Sequence, residues 1–104
     1  MANWKYDITP YGAALHEAIN DADENYAGSK AVLDKLILCL EHIKSIIPED
    51  DFEIYFDDLL EDARLFAENE PEDYLDEQDA VDNVDYLLGN FYDACDGYRI
   101  WIGI

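Results

Sequence analysis

The sequence predicts an all-α fold: a compact bundle of about four helices, with a short two-stranded β-pair at the chain's ends as an optional addition. Three observations carry this reading. Apolar residues recur at three- and four-residue spacing through four segments. Proline, glycine and small polar residues punctuate those segments at helix-length intervals. The 104 residues are half apolar and 13% aromatic, enough for one core of modest size in one domain, 1–104.

Trp4, Tyr6 and Ile8 alternate with Lys5 and Asp7, which reads as a short extended segment. Thr9-Pro10 then reads as an N-cap followed by proline at the first helical position. The first helix is expected over 10–25, with Ala14, Leu15, Ala18, Ile19 and Ala22 facing inward. Ala27-Gly28 is expected to end it and Ser29 to cap the next, over 30–47. Leu33, Leu36, Ile37, Leu40, Ile43 and Ile47 form that second helix's stripe, and Val32, Leu38, Cys39 and Ile46 widen it almost all round. It is therefore the expected central helix, closed by Pro48. A third helix over 50–68 would bury Phe52, Tyr55, Phe56, Leu59, Ala63 and Phe66, before a break at residues 69–72. Tyr74 and Leu75 fit a short turn. A fourth helix over 79–96 would bury Val81, Val84, Leu88, Phe91 and Cys95, with Gly97 as the left-handed residue after its end. The tail, 98–104, is apolar and β-prone; it either pairs with Trp4–Ile8 or covers the core, and it is also the segment that would serve a homodimer.

Charge is the dominant chemical feature. Twenty-six acids face six bases, for a net −20. The half up to residue 47 is a near-neutral scaffold, while 48–104 is strongly acidic: residues 1–44 hold seven acids and four bases, residues 45–104 nineteen and two. Two carboxylates about 6 Å apart repel by roughly 0.7 kcal/mol in water before screening. Many such pairs consume a real part of a domain stability of about 5–15 kcal/mol. Solubility alone asks for a net charge of about 2–8. The excess calls for another reason.

Several function classes fall away. There is no glycine-rich phosphate loop, nucleophile elbow or metalloprotease motif. His16 and His42 lie on different expected helices, read as exposed or capping, and the chain is expected to be non-catalytic with no cofactor. Asp21, Asp23 and Asn25 begin a calcium-loop pattern, but Tyr26 stands where glycine is needed and Val32 where the bidentate glutamate belongs, so no metal site is expected. Cys39 and Cys95 read as buried reduced thiols. Met1-Ala2-Asn3-Trp4 lacks a signal-peptide pattern and no apolar run has the length of a membrane span, so a cytoplasmic location in a bacterial host and no membrane partner are expected. Direct nucleic-acid binding is disfavoured, because phosphate contacts need lysine and arginine and only Arg64 and Arg99 occur in the last sixty residues.

What remains is the acidic face. Residues 49–79 hold fifteen carboxylates and one base. Glu53, Asp57 and Glu61 form an i, i+4, i+8 row, with Asp58 and Asp62 beside it. Each step along a row advances about 6 Å, against about 3.4 Å per phosphate along one DNA strand. Two staggered rows thus approach the linear charge density of nucleic acid. Solvated helical faces ordinarily mix both signs and gain from i, i+4 ion pairs; this one forgoes nearly all of them.

In size and charge layout the chain resembles the small acidic DNA mimics encoded by phages and other mobile elements, the anti-CRISPR and anti-restriction proteins. The resemblance covers the second half of the chain and rests on Glu49-Asp50-Asp51-Phe52-Glu53, Asp57-Asp58, Glu61-Asp62, Glu70-Pro71-Glu72-Asp73, Asp76-Glu77 and Asp79, with Asp82 extending it. It is one of charge layout, not of a sequence motif. It implies a partner with a basic DNA-binding cleft: a single-protein, RNA-guided CRISPR effector first, a restriction enzyme next. Tyr55, Tyr74 and Tyr86 are candidates for stacking on arginine or aromatic groups. The alternatives are an immunity or antitoxin-like protein that binds one toxin through aromatic hot spots, and an acidic adaptor module.

Overall fold

The computed structural model describes residues 3–103. Its elements run β1 (Tyr6–Asp7), α1 (Thr9–Asp21), α2 (Tyr26–Ile46), α3 (Glu49–Tyr55), α4 (Asp57–Ala67), a 3₁₀ turn (Pro71–Asp73), α5 (Glu77–Tyr98) and β2 (Ile100–Trp101). The architecture is helical, as expected, and the expected number is close: five α-helices occur among the described residues, where one expected helix is divided in two.

α2 is the central element. It packs against α1, α3, α4 and α5, and its Leu36, Leu40 and Ile43 are fully buried. Its stripe is narrower than the sequence suggested, because Leu38 is exposed. α2 also starts earlier than expected. Asn25 is its N-cap, and the Asn25 side chain accepts the Gly28 N–H at 2.8 Å. Ala27-Gly28 therefore lies in the first turn of α2 and does not end α1. Gly28 is needed there because a Cβ would collide with the Asp23 carbonyl. α1 stops at Asp21, and Ala22 is extended.

The cap of α1 also differs. Thr9 is the first residue of the helix, and its N–H and hydroxyl both donate to Asp7. These bonds hold the Asp7 carboxyl below its usual range.

The expected third helix is broken at Phe56 (φ −133°, ψ −19°). Its apolar spacing runs straight through the break, with Phe52, Phe56, Leu59, Leu60 and Ala63 all buried. Periodicity alone therefore gave no sign of it. Packing does: the buried Phe56 ring meets Tyr98 edge-on at 6.1 Å and Phe52 at 5.7 Å. Tyr55, expected inside, is 46% exposed.

α5 runs two residues past the expected end. Gly97 is helical, and Arg99 takes the left-handed conformation (φ 69°). β1 and β2 then pair in parallel, Tyr6 opposite Ile100 and Asp7 opposite Trp101. The Lys5 N–H donates to the Arg99 carbonyl at 2.7 Å and the Ile8 N–H to the Trp101 carbonyl at 2.8 Å. The tail thus pairs with the first segment, and its residue Ile104 lies outside the described residues, as do Met1 and Ala2. No described helix is long and apolar enough to cross a membrane.

Candidate partner-binding face

Half of the fourteen carboxylates expected in the site enter the fold at α-helix starts. Glu49, Asp50 and Asp51 occupy the first turn of α3, Asp57 and Asp58 that of α4, and Glu77 and Asp79 that of α5. A carboxylate there gains about 0.3–1 kcal/mol from the helix dipole. This offsets part of the repulsion and gives the Asp57-Asp58 pair a local reason: it marks the start of a new helix. Glu53, Glu61, Asp62 and Asp82 lie further along α3, α4 and α5, Asp76 caps α5, and Glu72 and Asp73 stand in the 3₁₀ turn.

The fourteen carboxylates expected in the site divide into two groups. Five are tied into the fold. Asp51 accepts the Tyr98 hydroxyl, Asp73 the Glu70 N–H and Asp76 the Asp79 N–H. Asp79 accepts the Leu75 N–H at 3.1 Å and Asp82 the Gln78 amide at 2.8 Å. Nine have no hydrogen-bond or ion-pair partner among the described residues and are exposed: Glu49, Asp50, Glu53, Asp57, Asp58, Glu61, Asp62, Glu72 and Glu77. The row Glu53, Asp57, Glu61 crosses the break at Phe56, so it bends with the chain and does not follow one straight helix. Tyr74 is half-buried, with its hydroxyl 3.4 Å from the Phe66 carbonyl and its ring 6.2 Å from Tyr26. It is more a wall of the fold than a free probe. Tyr86 is largely exposed.

The bases do not neutralise this face. Among the described residues there is one ion pair, Arg64–Glu41, at 3.8 Å between half-exposed side chains. Such a pair contributes about 0–1 kcal/mol. Lys5, Lys44 and Arg99 lie over the rings of Tyr98, Phe52 and Trp4 at 4.7, 5.8 and 4.8 Å. Lys30 reaches the Ala67 carbonyl at the end of α4.

Sequence reasoning missed part of the face. Ile54, Leu65 and Leu75 are exposed among the acids. The signal was available for Leu65, which falls outside the spacing of the buried set on α4. The remaining reactive groups are built into the packing. His42 is half-buried and stacks on Tyr11 at 3.9 Å, so it is neither fully exposed nor a cap. His16 is half-buried beside Tyr92, with a buried Nε2. Cys39 and Cys95 are free, buried thiols; burial pushes Cys39 up to about 12 and Cys95 higher still. Neither is a ready nucleophile. Among the described residues, no three His, Cys, Asp or Glu side chains converge in a metal-binding arrangement.

Compared with family models, curated proteins and solved structures, the chain matches none.

Proposed function

We propose that the chain is a non-catalytic inhibitor that offers a nucleic-acid-like carboxylate surface to the basic DNA-binding cleft of a bacterial defence nuclease. A single-protein, RNA-guided CRISPR effector is the first target class and a restriction enzyme the second. The observation that carries this reading is the set of nine exposed, unpartnered carboxylates around α3, α4 and the start of α5. A fold that needed only solubility would pair or dilute them. A cleft lined by lysine and arginine supplies the missing positive charge and gains charge-assisted hydrogen bonds in return. Acidic complementarity also speeds the encounter. Binding excludes DNA by competition, with no bond made or broken.

A second reading draws on the exposed apolar side chains in the same half. An immunity or antitoxin-like protein would use an aromatic hot spot such as the half-exposed Tyr55 against one toxin, with charge in a lesser role.

A DNA-competition assay separates the two. The purified chain is added to DNA-binding nucleases, including a guide-loaded CRISPR effector, at two salt concentrations. The mimic reading expects DNA to be displaced, less so at higher salt, and expects reversal of Asp57, Asp58, Glu61 and Asp62 to lysine to abolish the effect. If that reversal changes little while Tyr55→Ala destroys binding, the hot-spot reading replaces it.

A further inference from the structure

The surface between α4 and α5 is not uniformly polar. Asp58, Asp62 and Leu65 stand at i, i+4 and i+7 and so share one face of α4. Tyr86 and Asn90 share a face of α5. Asp58 and Asp62 line one shallow cavity with Asn90 and Ile54, while Phe66, at the other end of α4, lines another with Ala80 and Val84. The two helices therefore run antiparallel, and the α4 face that carries Asp58, Asp62 and Leu65 meets the α5 face that carries Asn90 and Tyr86 along a shallow seam that opens into the Asp58–Asp62–Asn90 cavity. The apolar groups are large and open to solvent: Leu65 is 58% exposed, Tyr86 67% and Ile54 75%. Apolar side chains gathered within a polar rim mark an interaction surface. DNA mimicry by charge alone gives them no task.

We propose that this seam docks a helical segment of the partner protein that carries lysine or arginine together with aliphatic side chains. The charge is complementary: Asp58 and Asp62 meet the basic residues while Leu65, Tyr86 and Ile54 meet the aliphatic ones. The shape is that of a groove between two helices, into which a third helix packs ridge into groove. A peptide that binds by adding a strand would need a free sheet edge, and the walls here are helical, with their backbone bonds already made. This inference rests on the acidic half being the binding face, and it names what the partner brings to that face.

The test uses the full chain and a synthetic helix-forming peptide about four turns long, with leucine and lysine at helical spacing. A permuted peptide of equal composition and an arginine homopolymer of equal charge serve as controls. Affinities are measured by fluorescence anisotropy in about 0.15 M salt, where screening length is about 8 Å. The helical peptide is expected to bind at least about tenfold tighter than either control. Joint Leu65→Ser and Tyr86→Ser substitution is expected to remove that advantage while leaving Tm within about 2 °C, since both side chains are exposed. The Leu65→Met and Tyr86→Phe pair is expected to retain it. Equal binding of the three peptides, or an advantage unchanged in the serine pair, overturns the proposal. The parent reading fails separately: it falls if charge reversal leaves DNA competition intact, whatever the peptides do.

Discussion

Tyr98 joins elements that the sequence keeps far apart. Its ring is buried against Phe56, Tyr55 and Tyr6, and its hydroxyl donates to Asp51 on α3. The hydrogen bond to that carboxylate, followed by burial, pushes the phenol up to about 12. The folded value lies above the unfolded one, so this stabilisation is fully present below about pH 10 and is lost as pH rises toward 12. Cys39, raised to about 12 by burial, acts in the same direction from a lower unfolded value. Urea unfolding should therefore show stability falling from about pH 9 upward. Tyr98→Phe should cost about 1.5–3 kcal/mol at pH 8, the scale of one hydrogen bond to a charged acceptor, and should flatten part of that alkaline decline. A variant as stable as the parent at pH 8 would show that the Asp51 bond contributes nothing.

At the scale of elements, the glycines divide by what surrounds them. Gly12 lies where α1 meets the tail, and a Cβ there would strike the Ile102 carbonyl. Gly89, in the middle of α5, has open space around it. Helical glycine is less favourable than alanine by about 0.8–1 kcal/mol. Gly89→Ala should thus raise Tm by about 4–8 °C in a thermal melt, and no gain would mean that α5 is strained there in some other way. The contrast also shows what the sequence made legible. The central place of α2 followed from its stripe; the alternation at Trp4–Ile8 and the apolar tail left pairing and core cover both open, and the tail pairs. The start of α2 was missed because Ala27-Gly28 looked like a stop, whereas the glycine serves a close approach to Asp23 and Asn25 supplies the cap. The break at Phe56 was missed because the three-and-four spacing continues across it. In the site, the acid content was plain from the sequence. Which acids are free and which are tied down was not, since those ties reach across turns and, for Asp51, to the far end of α5.

For the whole molecule, the balance is between self-repulsion and binding. The fold measures 41 × 26 × 18 Å, so a net −20 is held in a small volume. Added salt screens that repulsion, and Tm should rise by about 5–10 °C between low and physiological ionic strength. Changing Glu61 and Asp62 to their amides should raise stability by about 0.2–0.5 kcal/mol for each like-charged pair removed, Asp57–Glu61 and Asp58–Asp62, while the helix-start carboxylates stay in place. The same variant should weaken partner binding, so that stability and affinity move in opposite directions; a parallel loss of both would remove the charge argument. The pairing of Tyr6–Asp7 with Ile100–Trp101 has a consequence for the order of assembly. Those strands close a loop that spans nearly the entire chain, and the entropy of closing a loop grows with its length. Helices formed from near neighbours in sequence can collapse on α2 first, leaving the strand pair to latch late in folding and to open early in local fluctuations. The two ends then behave as a clasp on an already formed bundle, and hydrogen exchange would find the Lys5 and Ile8 amides yielding before those in the middle of α2.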